Sequence, residues 1–412
     1  MLIKQSKFFK DEHLKPNTIT AFFCMKVVAG IALTLIYTYY YTDKSKADIY
    51  RYFNDSTIIS QLLFHHPAAW WSAMTGIQLE NPEVFKHLIP TQYFSHPEAD
   101  LATNNSLLIR IHSIMNYLSG YNIYINTLFF SFFSFVGCFL SYRFFTRFPV
   151  YEPVLIAIPF FLFPSILFWS SGALKESFLF FAVGLFLYPL RKPYGLKNFF
   201  LQLLAIAILL QTKSYVAFFL VLCTVMGITI LLRVKTEKRI AAALLALLIS
   251  GTAYWATQNN FCDILIQKRN EFSALAMAEN AGSSIDTQIL SGGCNSVLSQ
   301  LPRSLIQSVF APFIWSFKNI FELAFAIENT FLFVMLALSL TWKTKANSTQ
   351  VVVATLCFLF ALLNYLLIGL TVPVVGAIVH YRILATPFLL TGWIMLFNLN
   401  IPIYLIRLLK KY

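Results

Sequence analysis

The stretch QVVVATLCFLFALLNYLLIGLT, residues 350–371, has no charged side chain and, as an α-helix, is long enough to cross the hydrocarbon core of a bilayer. Similar runs recur along the chain. They are too long for barrel strands and do not alternate, so helices are the form that satisfies their backbone in lipid. We therefore predict an all-α, polytopic transmembrane bundle of about ten spans, at roughly 18–41, 121–141, 150–170, 174–190, 198–212, 214–232, 239–257, 319–341, 350–371 and 379–397.

Composition excludes a soluble protein. Of the 412 residues, 58% are hydrophobic and 12% are charged, and Phe alone occurs 42 times. The mean hydropathy is +0.66. Soluble domains carry about 25% charged residues, so a chain of this composition needs lipid as its partner.

The formal net charge of +13 is explained by topology. With both termini in the cytoplasm, each short cytoplasmic loop is basic, as the positive-inside rule requires. The excess charge then needs no nucleic-acid partner, because anionic lipid accounts for it. The basic residues that this topology collects inside are Lys4, Lys7, Lys10, Lys15, Lys26, Arg143, Arg147, Arg191, Lys192, Lys197, Arg233, Lys235, Lys238, Arg239, Lys343, Lys345, Arg407, Lys410 and Lys411.

Two extracytoplasmic loop regions, 42–120 and 258–318, hold most of the polar sequence, while residues 1–412 form one transmembrane domain. Sites are built on polar loops that a rigid scaffold positions, so we expect recognition and chemistry on the outer side. The alternative is that these loops only cap the bundle. Cys262 and Cys294 are the two cysteines outside the spans, and an oxidising compartment predicts a disulfide between them.

The first loop carries a polar stripe of Asp48, Arg51, Tyr52 and Asp55, whose spacing places all four on one helical face. Two carboxylates there offer a catalytic base or oxygen ligands for a divalent cation. Asp48 is the preferred base because it is nearer the bilayer. The alternative is an ion pair between Arg51 and Asp55 on a solvated face.

The stretch FPSILFWSSGALKES, residues 163–177, joins two apolar segments and ends with Lys175 and Glu176. Charged side chains at such a junction cost free energy unless they pair or line a polar cavity, which makes them candidates for substrate binding. A helix that starts after SSG also directs backbone N–H groups at a phosphate. The alternative is that Lys175 and Glu176 neutralise each other or reach the interface.

Four further side chains are candidates for binding a phosphate substrate. Lys213 lies in QTKSY between two apolar runs, and His380, Tyr381 and Arg382 lie at the outer end of the last span. Arg382 suits bidentate phosphate contact, although it could instead be an interfacial anchor. Glu328 lies too deep in its span to be unpaired and is expected to pair with one of these cations. The sequence contains no zinc motif, no glycine-rich phosphate loop and no nucleophile elbow.

This layout resembles the GT-C superfamily of polytopic membrane glycosyltransferases, in which a cytoplasmic N-terminus and a first span precede a large outer loop with acidic residues, here ADIYRYFND. The resemblance implies an aspartate base, which is Asp48 or Asp55, and a polyprenyl-phosphate-linked sugar as donor. The stretches FPSILFWSSGALKE and VHYRILATP are also similar to segments of uncharacterised bacterial inner-membrane proteins grouped near these transferases and near surface-polysaccharide polymerases. That likeness implies the inner membrane and the cell envelope.

The leading hypothesis is therefore transfer of a sugar from a polyprenyl-phosphate or polyprenyl-diphosphate carrier to an extracytoplasmic glycan, lipid or protein acceptor. Lys175, Lys213 and Arg382 would stabilise the departing phosphate. The alternatives are a polymerase or ligase of lipid-linked glycans, a lipid or glycan transporter, and a non-catalytic subunit of an envelope complex. One-sided loops count against the transporter.

Overall fold

The computed structural model describes residues 2–40, 44, 47–95, 105–150, 152–191, 195–231, 251, 260–278, 283–285, 289–339 and 346–397. Apart from Gly251, the predicted span 239–257 lies outside these residues. So do several of the basic residues assigned to the cytoplasm, namely Lys192, Arg233, Lys235, Lys238, Arg239, Lys343, Lys345, Arg407, Lys410 and Lys411.

Helices dominate the described residues, which contain no β-strand. Short 3-10 turns cover Lys7–Phe9, Pro153–Ile156 and Tyr188–Arg191, and π-helical turns cover Ile36–Tyr40 and Ile158–Leu162. The α-helices are α1 Leu2–Gln5, α2 Pro16–Leu35, α3 Asp48–His65, α4 Pro67–Thr75, α5 Pro82–Phe85, α6 Ser106–Ser119, α7 Ile123–Phe145, α8 Pro164–Trp169, α9 Lys175–Leu187, α10 Leu196–Leu231, α11 Phe261–Ala278, α12 Gly293–Phe310, α13 Ile320–Ser339, α14 Ser348–Thr371, α15 Val375–Arg382 and α16 Thr386–Leu396.

In the described part of the chain, 5 helices are long and apolar enough to cross a membrane, and the bent pair α15 and α16, which meet at 55°, would make 6. The chain is thus an all-helical integral membrane protein. Its described residues alone hold fewer candidate spans than the ten predicted for the chain, and the predicted span 239–257 lies almost wholly outside them. The five are Pro16–Tyr40, Ile123–Phe145, Leu196–Leu231, Ile320–Ser339 and Ser348–Thr371.

Local chemistry explains part of the difference from ten spans. The predicted span 150–170 is divided into short helical pieces that begin at or next to Pro153, Pro159 and Pro164, because proline lacks the N–H that an α-helix needs. The predicted span 174–190 gives an α-helix of 13 residues followed by a 3-10 turn. The predicted spans 198–212 and 214–232 correspond to two helices within α10 that are separated by a kink at Lys213, where the backbone is not helical.

Helices α7 and α9 cross at a close backbone contact between Gly137 and Gly184. A Cβ added at Gly137 would collide with the carbonyl oxygen of Phe180, and one added at Gly184 would collide with the backbone of Gly137. Small residues allow transmembrane backbones to approach in this way. The crossing holds the middle and the C-terminal half of α9 against α7.

We expect the substitution Gly137→Ala to lower the free energy of unfolding by about 1–3 kcal/mol, because a methyl group there overpacks rigid backbone. The matched control is Gly227→Ala in α10, where the added Cβ would meet the flexible end of Leu356 instead. Thermal unfolding of the purified protein in detergent measures the difference. An equal midpoint of thermal unfolding for both variants would contradict a close backbone contact between α7 and α9.

Lys26 lies inside the bundle and not in a basic cytoplasmic loop, as its place in the sequence had suggested. Its side chain is fully buried in α2, where the ammonium donates hydrogen bonds to Ser134 Oγ at 2.9 Å and Ser170 Oγ at 2.6 Å. A buried cation must be solvated by hydrogen bonds. Lys26 therefore ties the first span to α7 and to the turn that precedes α9.

The second loop region contacts the segment that leads into α15. Cys262 of α11 and Cys294 of α12 form the disulfide that the sequence predicts. The backbone N–H of Ile285 donates to Pro373 O at 2.7 Å, and that of Val375 donates to Ser283 O at 3.0 Å. These bonds fix where α15 begins.

Candidate functional site

Glu176 lies at the centre of a buried group of charges at the start of α9. Its Oε1 accepts a hydrogen bond from Lys213 Nζ at 2.9 Å, and its Oε2 lies 2.7 Å from His380 Nε2. The Glu176 side chain is only 3% exposed. One carboxylate therefore joins three segments that are far apart in the sequence, and each of its oxygens has a cationic or imidazole partner.

Aromatic rings complete the surroundings of these partners. Lys213 Nζ lies 4.0 Å from the ring centroid of Tyr381, and the indole of Trp169 stacks on the His380 imidazole at 4.5 Å. The break in helical backbone at Lys213, with φ −145° and ψ 89°, occurs at the residue that pairs with Glu176. Ammonium-to-ring contacts stabilise a cation, most strongly where water is excluded.

The start of α3 faces this group. Lys175 Nζ lies 5.8 Å from the Tyr52 ring centroid, and the hydroxyl of Tyr52 donates to Asn105 Oδ1 at 3.2 Å. Asp48 is close enough to interact electrostatically with Lys175 and Tyr381. We call the assembled residues the charged cluster, which consists of Asp48, Tyr52, Lys175, Glu176, Lys213, His380 and Tyr381.

Lys175 and Asp48 differ from Glu176, Lys213 and His380 because neither forms an ion pair with a described residue. Both side chains are partly exposed, whereas Glu176 and Lys213 are buried and paired. A cation that is held near a site without a partner can bind an anion at little reorganisation cost. Lys175 is therefore the cation of the cluster that is available to a ligand, while the charge of Lys213 is already balanced by Glu176.

Tyr52 and Tyr93 stay protonated beside Asp48. Burial, with the Asp48 carboxylate adding to it, raises the pKa of Tyr93 to about 12, while the Arg51 side chain bonds to the Tyr93 hydroxyl and opposes the rise. Burial also raises the pKa of Tyr52 well above its ordinary value. The two rings lie 5.6 Å apart, so they offer neutral hydroxyl groups at the rim of the charged cluster.

Asp55 has a different environment from Asp48. Its Oδ1 accepts the backbone N–H of Gln92 and its Oδ2 that of Tyr93, both at 2.9 Å. Burial raises the pKa of the Asp55 carboxyl, and these two N–H groups act against the rise. With both oxygens bound to backbone, Asp55 holds the loop at 92–93 against α3, so the geometry leaves Asp48 as the aspartate available for chemistry.

Arg382 points away from the charged cluster although it follows Tyr381 in the sequence. The guanidinium is fully buried, and its Nη2 donates to Asn329 Oδ1. Its Nη1 donates to three carbonyl oxygens at and just after the end of α12, those of Ser308 at 3.2 Å, Val309 at 2.9 Å and Ala311 at 2.9 Å. A guanidinium at a helix C-terminus satisfies carbonyls that the helix leaves open. These contacts favour a structural role over phosphate binding.

Glu328 also lies outside the cluster. Its Oε2 accepts the backbone N–H of Ser165 at 2.7 Å, at the start of α8. Glu328 is close enough to Arg382 for an electrostatic interaction, yet the two form no direct ion pair in the part of the chain that is described. The carboxylate therefore caps the start of α8. The last residue of this helix is Trp169, which stacks on His380.

A buried polar network joins α3 to the turn before Lys175, and sequence reasoning missed it. Asn116 Nδ2 donates to Ser56 Oγ at 3.0 Å, and Asn126 Nδ2 donates to Asn116 Oδ1 at 2.7 Å. Asn126 Nδ2 also lies 3.3 Å from His112 Nδ1, and His112 Nε2 lies 3.4 Å from Ala173 O. Burial lowers the pKa of His112 to about 4, so this imidazole is neutral at physiological pH. The polar i, i+4 spacing of His112 and Asn116 in α6 was the one available signal.

Within the described residues, no three His, Cys, Asp or Glu side chains are grouped as a metal site. The expectation of a divalent cation therefore gains no ligand set from this part of the chain. Comparison with protein-family models, with curated proteins and with solved structures finds no match for this chain.

Proposed function

We propose that the charged cluster binds the phosphate of a polyprenyl-phosphate or polyprenyl-diphosphate sugar and supports transfer of that sugar to an acceptor. The observation that carries the proposal is the convergence of Asp48, Lys175 and the Glu176 ion-pair group next to membrane-spanning helices. Ionisable groups are costly in such a setting and mark sites of function. The phosphate of a lipid carrier lies at the membrane surface, where this proposal places the Lys175 ammonium.

The proposal includes the topology of about ten spans with both termini in the cytoplasm of a bacterium. Under that topology, α3 follows the first span on the outer side of the inner membrane. The positions of Lys175 at the start of its span and of Lys213 between two apolar runs fit the same side. The acceptor is then a glycan, a lipid or a protein of the cell envelope.

In the proposed reaction, an acceptor oxygen forms a bond to the anomeric carbon of the sugar while the bond from that carbon to the phosphate oxygen breaks. The electron pair of the broken bond stays on the phosphate, and the acceptor proton passes to a basic group of the cluster. Lys175 and the first backbone N–H groups of α9 face the growing negative charge. Of the two aspartates predicted as base, Asp48 is the one whose oxygens are not bound to backbone.

The substitution Lys175→Gln is expected to lower transfer about 10²–10³-fold, because it removes the unpaired cation that stabilises the leaving phosphate. The measurement is sugar release from a radiolabelled polyprenyl-phosphate sugar in membranes that contain the variant. The control is Lys197→Gln, an exposed lysine at the start of α10. A wild-type rate for Lys175→Gln, at equal protein level, would refute the assignment.

A transporter of lipid-linked glycans is the second candidate, because α15 and α16 form a helix pair bent by 55° at the site, and broken helices are typical of transporters. The same assay separates the two functions. An enzyme breaks the bond between sugar and phosphate, whereas a transporter moves the intact lipid-linked sugar across the membrane.

A further inference from the structure

His380 is held in a single orientation by contacts on two sides. Glu176 Oε2 lies 2.7 Å from its Nε2, and Trp169 stacks against one ring face at 4.5 Å. The same carboxylate is bound through its other oxygen by Lys213, which keeps the carboxylate ionised and in place. Nε2 makes no hydrogen bond among the described residues, so this is a contact of charge, and a carboxylate so close favours the proton on Nε2 and leaves the lone pair on Nδ1.

The other nitrogen, Nδ1, has no hydrogen-bond partner among the described residues. The His380 side chain keeps 13% of its surface exposed, so it is not sealed inside the bundle. His112 makes the contrast clear, because it is fully buried and each of its nitrogens has a polar neighbour. His112 is built as a structural imidazole, whereas His380 presents one unoccupied nitrogen.

We infer that His380 Nδ1, positioned by Glu176, takes the proton of the acceptor hydroxyl in the transfer reaction. This inference rests on the proposed function, and it moves the role of base from Asp48 to an imidazole. Within the described residues no hydrogen bond or ion pair orients Asp48, whereas Glu176 and Trp169 both contact His380.

The step balances without a further reactant. The acceptor O–H bond breaks, its proton goes to His380 Nδ1, and the oxygen electron pair forms the new bond to the sugar. The imidazolium formed is stabilised by the Glu176 carboxylate at Nε2. The titratable neighbours of the imidazole are Glu176 of α9 and Tyr381 of α15. These two interact electrostatically with Lys175, Lys213, Tyr215 and Asp48.

The first arm of the test is independent of transfer. Diethyl pyrocarbonate acylates an unprotonated imidazole nitrogen, and mass spectrometry locates the product. We expect His380 to be modified in the folded protein in detergent, as the exposed His65 is, while the buried His112 remains unmodified. An unmodified His380 under conditions that modify His65 completely would overturn the inference.

The second arm measures transfer from a polyprenyl-phosphate sugar in membranes. We expect His380→Gln to lower the rate about 10²–10⁴-fold, because it removes the group that takes the acceptor proton. Asp48→Asn should lower the rate less than His380→Gln does, since the aspartate is not the base. A wild-type rate for His380→Gln, or a larger loss in Asp48→Asn than in His380→Gln, would overturn the inference while leaving the proposed function intact. No transfer by the wild-type protein would instead refute the proposed function and the base role together.

Discussion

The substitution Glu176→Gln is expected to lower the free energy of unfolding by about 3–5 kcal/mol, because removing one partner of a buried ion pair leaves the other charge without compensation. Glu176 is buried to 3% exposure and binds Lys213 directly. The amide keeps the shape and one acceptor oxygen, so the loss reports the charge. Thermal and denaturant unfolding in detergent would measure it.

The double variant Glu176→Leu with Lys213→Met is the control for this effect. Both charges are then removed together, and hydrophobic replacements of a buried ion pair are often neutral or stabilising. We expect the double variant to be more stable than either of its single variants, Glu176→Leu and Lys213→Met, and the three together define a coupling energy between the two sites. A double variant at least as unstable as the sum of the single variants would show that the ion pair is not the source of the stability.

Arg382→Met is expected to lower the free energy of unfolding by about 3–5 kcal/mol as well, for a different reason. The guanidinium donates to three backbone carbonyls and to Asn329, and all of these acceptors would lose a charged donor inside the protein. A buried carbonyl without a donor costs about 1–3 kcal/mol. The end of α12 should therefore loosen.

Arg303→Met, an exposed position in the same helix α12, is the control for the loss of a positive charge. Unfolding in detergent, combined with transfer measured per folded molecule, separates structure from binding. We expect Arg382→Met to lose stability while the remaining folded protein still transfers sugar. A stable but inactive Arg382→Met protein would restore the phosphate-binding role that the sequence suggested.

Several site residues could be selected from the sequence because an ionisable group inside an apolar run is costly. That reasoning identified Lys175, Glu176, Lys213, His380 and Tyr381 from three separate stretches of the sequence. The structure brings all five together with Asp48. Which of them pair, and which stays available, depends on distances that no spacing pattern contains.

Neighbouring residues on one helix illustrate that limit. His380, Tyr381 and Arg382 are consecutive, and successive residues of an α-helix point about 100° apart. His380 and Tyr381 therefore contact the charged cluster, while Arg382 donates to backbone carbonyls at the end of α12, beginning with that of Ser308. From the sequence, the three were predicted as one phosphate-binding set. Adjacency in the chain does not indicate which residues each side chain contacts in the folded protein.

Asp48 and Asp55 share a helical face in the sequence and separate in the structure. Two turns of α3 lie between them, and the backbone at 92–93 covers Asp55 alone. The uncharged polar network around His112 and Asn126 was not predicted from the sequence either. Uncharged polar side chains cost less in an apolar run than charges do, so composition does not mark them.

By itself the sequence determined that this chain is a helical membrane protein, because the hydrophobic effect and the need to satisfy the backbone in lipid act on runs of residues that can be counted along the chain. The tertiary structure alone decided that Glu176 is shared by Lys213 and His380, that Lys175 and Asp48 stay unpaired among the described residues, and that Arg382 stabilises the end of α12. Those outcomes depend on contacts between segments far apart in the chain, where an ångström separates an ion pair from a vacant partner, and local patterns carry no information about such distances.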